Sequence, residues 1–156
     1  MFALHSCKVS YSFTGATINP AIETFSVQYF PNRAEIIQPT LSQEFTDALR
    51  QKMETQTRLN LASGYGDVNF EGEITAYDVT PQAITGNEAP ALNRLTVSVN
   101  VRFTNLVEPE NDFEKRFTRY EDFSATQDLS QVESELIIKI NEQLTEDIFN
   151  EAFVNW

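Results

Sequence analysis

The chain contains few side chains of the types that catalyse reactions or hold metals. It has one cysteine, Cys7, and one histidine, His5. A zinc site, a disulfide framework or a nucleophilic triad needs more of these residues or a better placement. Glu71 and Glu73 stand two apart, so a strand would point both to one side and they could form a hydrolytic pair. Neighbouring carboxylates on a wet sheet face are more often solubilising charges, and we expect no catalytic site, metal or cofactor.

The cysteine suits a different chemistry, the attachment of lipid. The segment Leu4–Cys7 reads Leu-His-Ser-Cys and is similar to the end of a bacterial lipobox, although His5 departs from that pattern. We therefore expect residues 1–6 to be the remnant of a signal peptide and Cys7 to carry the lipid. Lys8 follows in place of the Asp that retains lipoproteins in the inner membrane, which permits outer-membrane sorting. The alternative is an ordinary cysteine near a frayed N-terminus.

The basic residues are few, and some of them could bind an anionic ligand. Lys and Arg number 11 against 23 Asp and Glu, for a formal net charge of -12, so the overall field disfavours nucleic-acid binding. A local cationic stripe can still hold an anion, because near contacts outweigh a distant, screened field. The simpler interpretation is cross-strand pairing with acidic neighbours. The candidate ligand-binding residues are Arg94, Arg102, Lys115, Arg116 and Arg119.

Alternating hydrophobicity predicts the strands that would position these cations. The alternations indicate antiparallel strands with one covered face and one wet face. They place Arg94 and Arg102 on the polar face, and they separate Lys115 and Arg119 from Arg116, which lies on the opposite face. The alternating segments are 9–13, 25–29, 68–76, 95–103 and 113–123.

Two further segments have helical periodicity. The first begins at Thr40, with Gln43 placed to complete a capping box, and the second begins near Ser130, with Glu133 in the same position. The element order is then β-(β)-α-β-β-β-α, in which the strand near the N-terminus is only a lead-in. Because one sheet face needs a cover and each helix has one apolar stripe, we predict a two-layer α+β sandwich. Its sheet is mostly antiparallel, and both helices pack on one face. The segment 79–92 is long for a hairpin connection and is either functional or a solvated excursion.

Several segments, taken in order, resemble one known family. They are similar to the LptE family of lipopolysaccharide-assembly lipoproteins in a divergent, short form, and the resemblance extends over residues 7–156. The similar segments are Lys8–Ala16, Phe25–Asn32, Pro39–Thr46, Asp67–Ile74 and Asn93–Val97, followed by a closing amphipathic helix.

The resemblance implies one non-catalytic domain over residues 7–156, anchored by Cys7 at the periplasmic side of the outer membrane. It implies that the domain plugs the LptD β-barrel, assists the assembly of that barrel and contacts lipopolysaccharide. The five candidate cations do not align with a family motif and rest on charge alone. The alternative function is an accessory lipoprotein, or a module that binds anionic amphiphiles, in another outer-membrane system.

Overall fold

A five-stranded mixed sheet is covered on one side by two helices, which confirms the predicted two-layer α+β fold. The computed structural model describes residues 17–83, 86 and 91–154. The predicted lead-in strand, His5 and Cys7 lie outside these residues. The elements are β1 (Thr24–Val27), α1 (Leu41–Gln56), β2 (Asn60–Leu61), β3 (Val68–Pro81), β4 (Leu92–Asn105), β5 (Phe113–Ser124) and α2 (Leu129–Phe153), with a 3₁₀ turn at Pro109–Asn111.

The strands are arranged in the order β2-β1-β3-β4-β5. The three long strands form an antiparallel meander and contribute most of the pairing, as predicted. In contrast, β1 is parallel to both of its neighbours. Helix α1 connects β1 to β2. Because a helical crossover brings the chain back to the same edge, the two strands run in the same direction. Strand β2 was not predicted, because two residues are too few to show a period.

The register of the meander gives each sheet face a distinct composition. Val97, Val99, Val101 and Phe103 of β4 are fully buried and point toward the helices. The polar residues between them point to the other side, which we call the open face. Because alternate residues point to opposite sides, the paired residues of β3 and β5 share these two faces.

Aromatic rings at one end of the core join α2 to the sheet. The ring of Phe70 lies 4.9 Å from that of Phe103, and the ring of Phe153 lies 6.2 Å and 5.9 Å from these two. All three side chains are fully buried. The end of α2 is therefore part of the central core.

Both predicted capping boxes are wrong. Thr40 precedes α1 but makes no side-chain cap hydrogen bond; instead, Gln38 Oε1 accepts hydrogen bonds from the N–H groups of Thr40 and Leu41. Helix α2 begins at Leu129, before Ser130. The carboxylate of Glu133 accepts a hydrogen bond from the Tyr77 hydroxyl. The group that was predicted to cap the helix therefore makes a tertiary contact with the sheet.

Candidate functional site

The structure divides the five candidate cations between the two faces of the sheet, as the alternation predicted. Arg94, Arg102 and Arg116 lie on the open face, whereas Lys115 and Arg119 lie on the helix side. The five residues therefore do not form one patch.

The two cations on the helix side connect β5 to α2. Arg119 makes two short hydrogen bonds to Asp147, of 2.6 and 2.7 Å, and Lys115 Nζ donates to Glu151 at 2.9 Å. The pKa of the Arg119 guanidinium is raised, chiefly by its hydrogen bonds to Asp147. Both cations are thus engaged with carboxylates of the same chain, and they attach the edge strand to the helix.

Arg102 lies at the centre of a charged row that crosses the three long strands on the open face. The register places it between Glu71 on β3 and Glu114 on β5. Its guanidinium reaches these carboxylates at 3.2 and 3.4 Å, and more than half of the side chain remains exposed. Tyr65 donates its hydroxyl to Glu71 at 3.1 Å, and that hydrogen bond raises the pKa of the tyrosine. Glu71 is therefore held as the acceptor of two donors.

Arg94 is the most tightly held cation on the open face. It makes a two-pronged contact with Asp122, with distances of 2.7 and 2.9 Å, and its guanidinium carbon lies 3.6 Å from the centre of the Tyr120 ring. The hydrogen bonds from Arg94 hold the pKa of Asp122 below its ordinary value. This fixed geometry supports the simpler interpretation of Arg94, which is cross-strand pairing with an acidic neighbour.

Arg116 is the exposed cation of the open face that has no ion-pair partner among residues 17–83, 86 and 91–154. Its register partner on β4 is the neutral Asn100, which in turn faces Glu73 on β3. Two strand spacings, about 10 Å, separate the backbone positions of Arg116 and Glu73. Arg102 is its diagonal neighbour, at a Cβ separation of about 7–8 Å. These two guanidinium groups are the best placed to meet one anion.

A second surface feature, a groove between α1 and α2, was missed by the sequence reasoning. The groove has a volume of about 980 Å³. Glu44 and Asp47 of α1 line one side of it, and Glu142 and Glu146 of α2 line the other. The sequence signal that could have revealed the groove is the polar stripe of α1 at helical spacing, from Glu44 to Thr55.

The described residues offer no cluster of three or more His, Cys, Asp or Glu side chains able to hold a metal ion. Glu71 and Glu73 share the open face, and Glu71 is paired with Arg102 as described above. Of the long connection 79–92, the structure describes residues 79–83, 86, 91 and 92. Among the helices it describes, none has the length and apolarity needed to cross a membrane.

Comparisons with known proteins agree with the resemblance found in the sequence. The model of the LptE family, described as lipopolysaccharide-assembly, matches residues 22–152. No curated protein sequence matches the chain.

Solved structures share the fold at low sequence identity. A minor lipoprotein from Acinetobacter baumannii is 13% identical, with a TM-score of 0.54 over 84% of this chain and 92% of its own. The rare lipoprotein B from Shewanella oneidensis is 12% identical, with a TM-score of 0.52 over 82% and 92%. A putative neuraminyllactose-binding hemagglutinin homolog from Helicobacter pylori is 10% identical, with a TM-score of 0.55 over 91% and 89%. At these identities the likeness concerns the fold alone.

Proposed function

Since this chain belongs to the LptE family of lipopolysaccharide-assembly proteins, we propose that it is the lipoprotein plug of an LptD-type outer-membrane β-barrel. In this role it fills the lumen, assists the assembly of the barrel and contacts lipopolysaccharide at the periplasmic face. It performs no catalysis. The observation that carries the proposal is the family match over nearly the whole described domain.

The composition of the open face supports a position inside a barrel lumen. A wide barrel has a polar interior, so a plug needs polar contacts that tolerate water. The open face supplies such contacts through Arg102, Arg116, Thr118 and Tyr120, all of which are exposed. The hydroxyls of Ser98 and Thr118 are joined by a hydrogen bond of 2.8 Å, so the middle of this face is polar as well.

A lipid anchor at Cys7 completes the proposed arrangement. In this arrangement Cys7 is the first residue of the mature domain. Each buried CH₂ of an acyl chain contributes about 0.8 kcal/mol, so several chains on one cysteine hold a domain at the membrane.

Lipopolysaccharide carries phosphate groups, and Arg102 and Arg116 are the proposed contacts for them. The carboxylates beside Arg102 are exposed or partly exposed, so a phosphate can compete with them for the guanidinium. Arg116 needs no such exchange. Arg94, Lys115 and Arg119 support these contacts less directly, because close carboxylates already bind them.

Copurification tests the plug role. An affinity-tagged chain, extracted from native outer membranes in mild detergent, should bring down a large β-barrel protein identifiable by mass. Recovery of only free monomer contradicts the proposal. Recovery with the components of a different envelope machine instead supports the alternative, an accessory lipoprotein of another outer-membrane system.

Substitutions on the open face test the lipopolysaccharide contact. The double variant Arg102→Ser/Arg116→Ser should bind lipopolysaccharide about fivefold more weakly, since each exposed ion pair contributes modestly. The effect should shrink as salt screens the contacts. Lys139→Ser on α2 removes one exposed cation from the helix layer and should leave binding unchanged. An equal loss of lipopolysaccharide affinity in both variants would indicate that Arg102 and Arg116 have only a structural role.

A further inference from the structure

We propose that the groove between α1 and α2 is a docking site for a basic, amphipathic helix of a partner protein. The groove lies in the helix layer, whereas the proposed lipopolysaccharide contacts lie on the open face of the sheet. The inference therefore stands independently of the proposed function, and either can fail without the other.

Charge is the first argument. The charged residues that line the groove are four carboxylates and one ammonium, that of Lys52, which is already paired with Glu146. Glu142 is exposed and its carboxylate has no partner among the residues that the structure describes. A surface of this charge attracts a cationic partner and repels an anionic one.

A buried amide is the second, independent argument. Asn141 lines the groove and is only 3% exposed, and its Oδ1 has no hydrogen-bond partner within the described chain. A buried polar atom without a partner destabilises a fold, and native proteins rarely keep one. Because this oxygen is itself buried, the Asn141 side chain has to rotate toward the groove before an N–H donor of a lysine or arginine can satisfy it. The cost of the unpaired oxygen is then recovered when the partner binds.

The spacing of the carboxylates decides what kind of cation fits. They do not form a group that could share a metal ion among the described residues, so a single divalent cation is a poor occupant. The groove runs from Glu44 to Gln56 on α1 and from Ser134 to Glu146 on α2. At 1.5 Å per residue each wall is about 18 Å long. A helix of about twelve residues with several separated cations matches that length.

Apolar surface in the groove favours a helix over an extended polycation. Ile138 is 60% exposed and lines the groove together with Ala48. An amphipathic helix can place a leucine against Ile138 and direct its lysines toward the flanking carboxylates. Such helix-in-groove binding uses anchors at intervals of three and four residues.

A synthetic peptide tests the groove with the whole chain in solution. The probe is a fluorescein-labelled, helix-forming twelve-residue peptide with Lys and Leu at helical spacing and Ala elsewhere, and the readout is fluorescence anisotropy. We expect saturable binding that Glu44→Gln/Glu142→Gln weakens about fivefold to tenfold, since two exposed ion pairs are lost. The matched control is Glu54→Gln/Glu110→Gln. It removes the same charge from exposed carboxylates outside the groove and should bind like the unmodified chain.

The variant Asn141→Leu separates binding from stability. It removes the unpaired buried oxygen, so the melting temperature should rise while peptide affinity falls by about fivefold. Absent binding, equal weakening by the control, or unchanged affinity in Asn141→Leu overturns the proposal. Displacement of the peptide by spermidine at equal concentration also overturns it, because it would show a site for small polycations.

Discussion

At the scale of single residues, Asp67 fixes the start of β1 through one carboxylate oxygen. Its Oδ2 accepts hydrogen bonds from the backbone N–H groups of Glu23 and Thr24 and from the Thr24 hydroxyl, at 2.9, 2.9 and 3.0 Å. These three donors lower the pKa of Asp67 below its ordinary 3.8. The ionised form is therefore favoured in the folded chain.

We predict that Asp67→Asn lowers the free energy of unfolding by about 1 kcal/mol at pH 7, because charge-assisted hydrogen bonds are lost at a partly exposed site. The folded pKa is depressed, so the contribution is present above the unfolded pKa and disappears as the pH falls through the folded pKa. Urea unfolding at pH 7 and at pH 2 measures both values. The gap should be smaller at pH 2 than at pH 7, and Asp78→Asn, at an exposed carboxylate further along β3, should show little gap at either pH.

At the scale of elements, glycines allow neighbouring strands to approach closely. A Cβ added at Gly72 of β3 would lie 1.9 Å from the Asn100 carbonyl oxygen and 2.8 Å from the Phe30 ring. One added at Gly66 would lie within 3 Å of the backbone of Phe25. Gly72 therefore allows β3 to approach β4 closely, and Gly66 allows the segment before β3 to approach β1.

Gly72→Ala should destabilise the chain by about 3 kcal/mol or more, because the clash is with backbone and a buried ring. Gly64→Ala is the matched control, since an added Cβ there meets nothing within 4 Å. We expect that control to stay within about 0.5 kcal/mol of the unmodified chain in chemical unfolding. Similar losses in both variants would contradict close packing at Gly72.

The contact between β5 and α2 yields a second prediction at this scale. A double-mutant cycle of Arg119→Ala and Asp147→Ala should give a coupling energy of about 0.5–1 kcal/mol, because the pair is two-pronged but partly exposed. Chemical unfolding of the four proteins provides the energy, and high salt should reduce it. A coupling near zero would mean that the Arg119–Asp147 pair does not help to attach the edge strand to the helix.

At the scale of the whole molecule, the end of α2 holds the two layers together. Phe153 contacts rings from both β3 and β4 and is fully buried, although it lies close to the end of the chain. The sheet face covered by the helices contains the buried core and provides stability. The open face provides the polar surface on which the proposed plug function depends.

Phe153→Ala should cost about 3–5 kcal/mol, because it removes a large buried ring and leaves a cavity. Val154→Ala, one residue later and 41% exposed, should cost far less. Thermal unfolding followed by circular dichroism measures both variants. Comparably small losses in both variants would indicate that the end of α2 frays and does not belong to the core.

Much of this architecture was determined by the sequence alone. Alternation over Leu95–Phe103 predicted a strand with one buried face, because the side-chain period of a strand is two. The same rule placed Lys115 and Arg119 opposite Arg116. Helical periodicity gave both helices and the face that each one buries. These features depend on neighbours in the chain, so a single sequence contains them.

Contacts between distant residues were decided only by the tertiary structure. The parallel pairing of β1, the capping of α1 by Gln38 and the capture of Glu133 by Tyr77 each depend on which groups meet after folding. The same holds for the ion pairs of Lys115 and Arg119 and for the groove between the helices. Hydrogen-bond partners are chosen by position in space, and sequence periodicity specifies only the side of the element from which a group points.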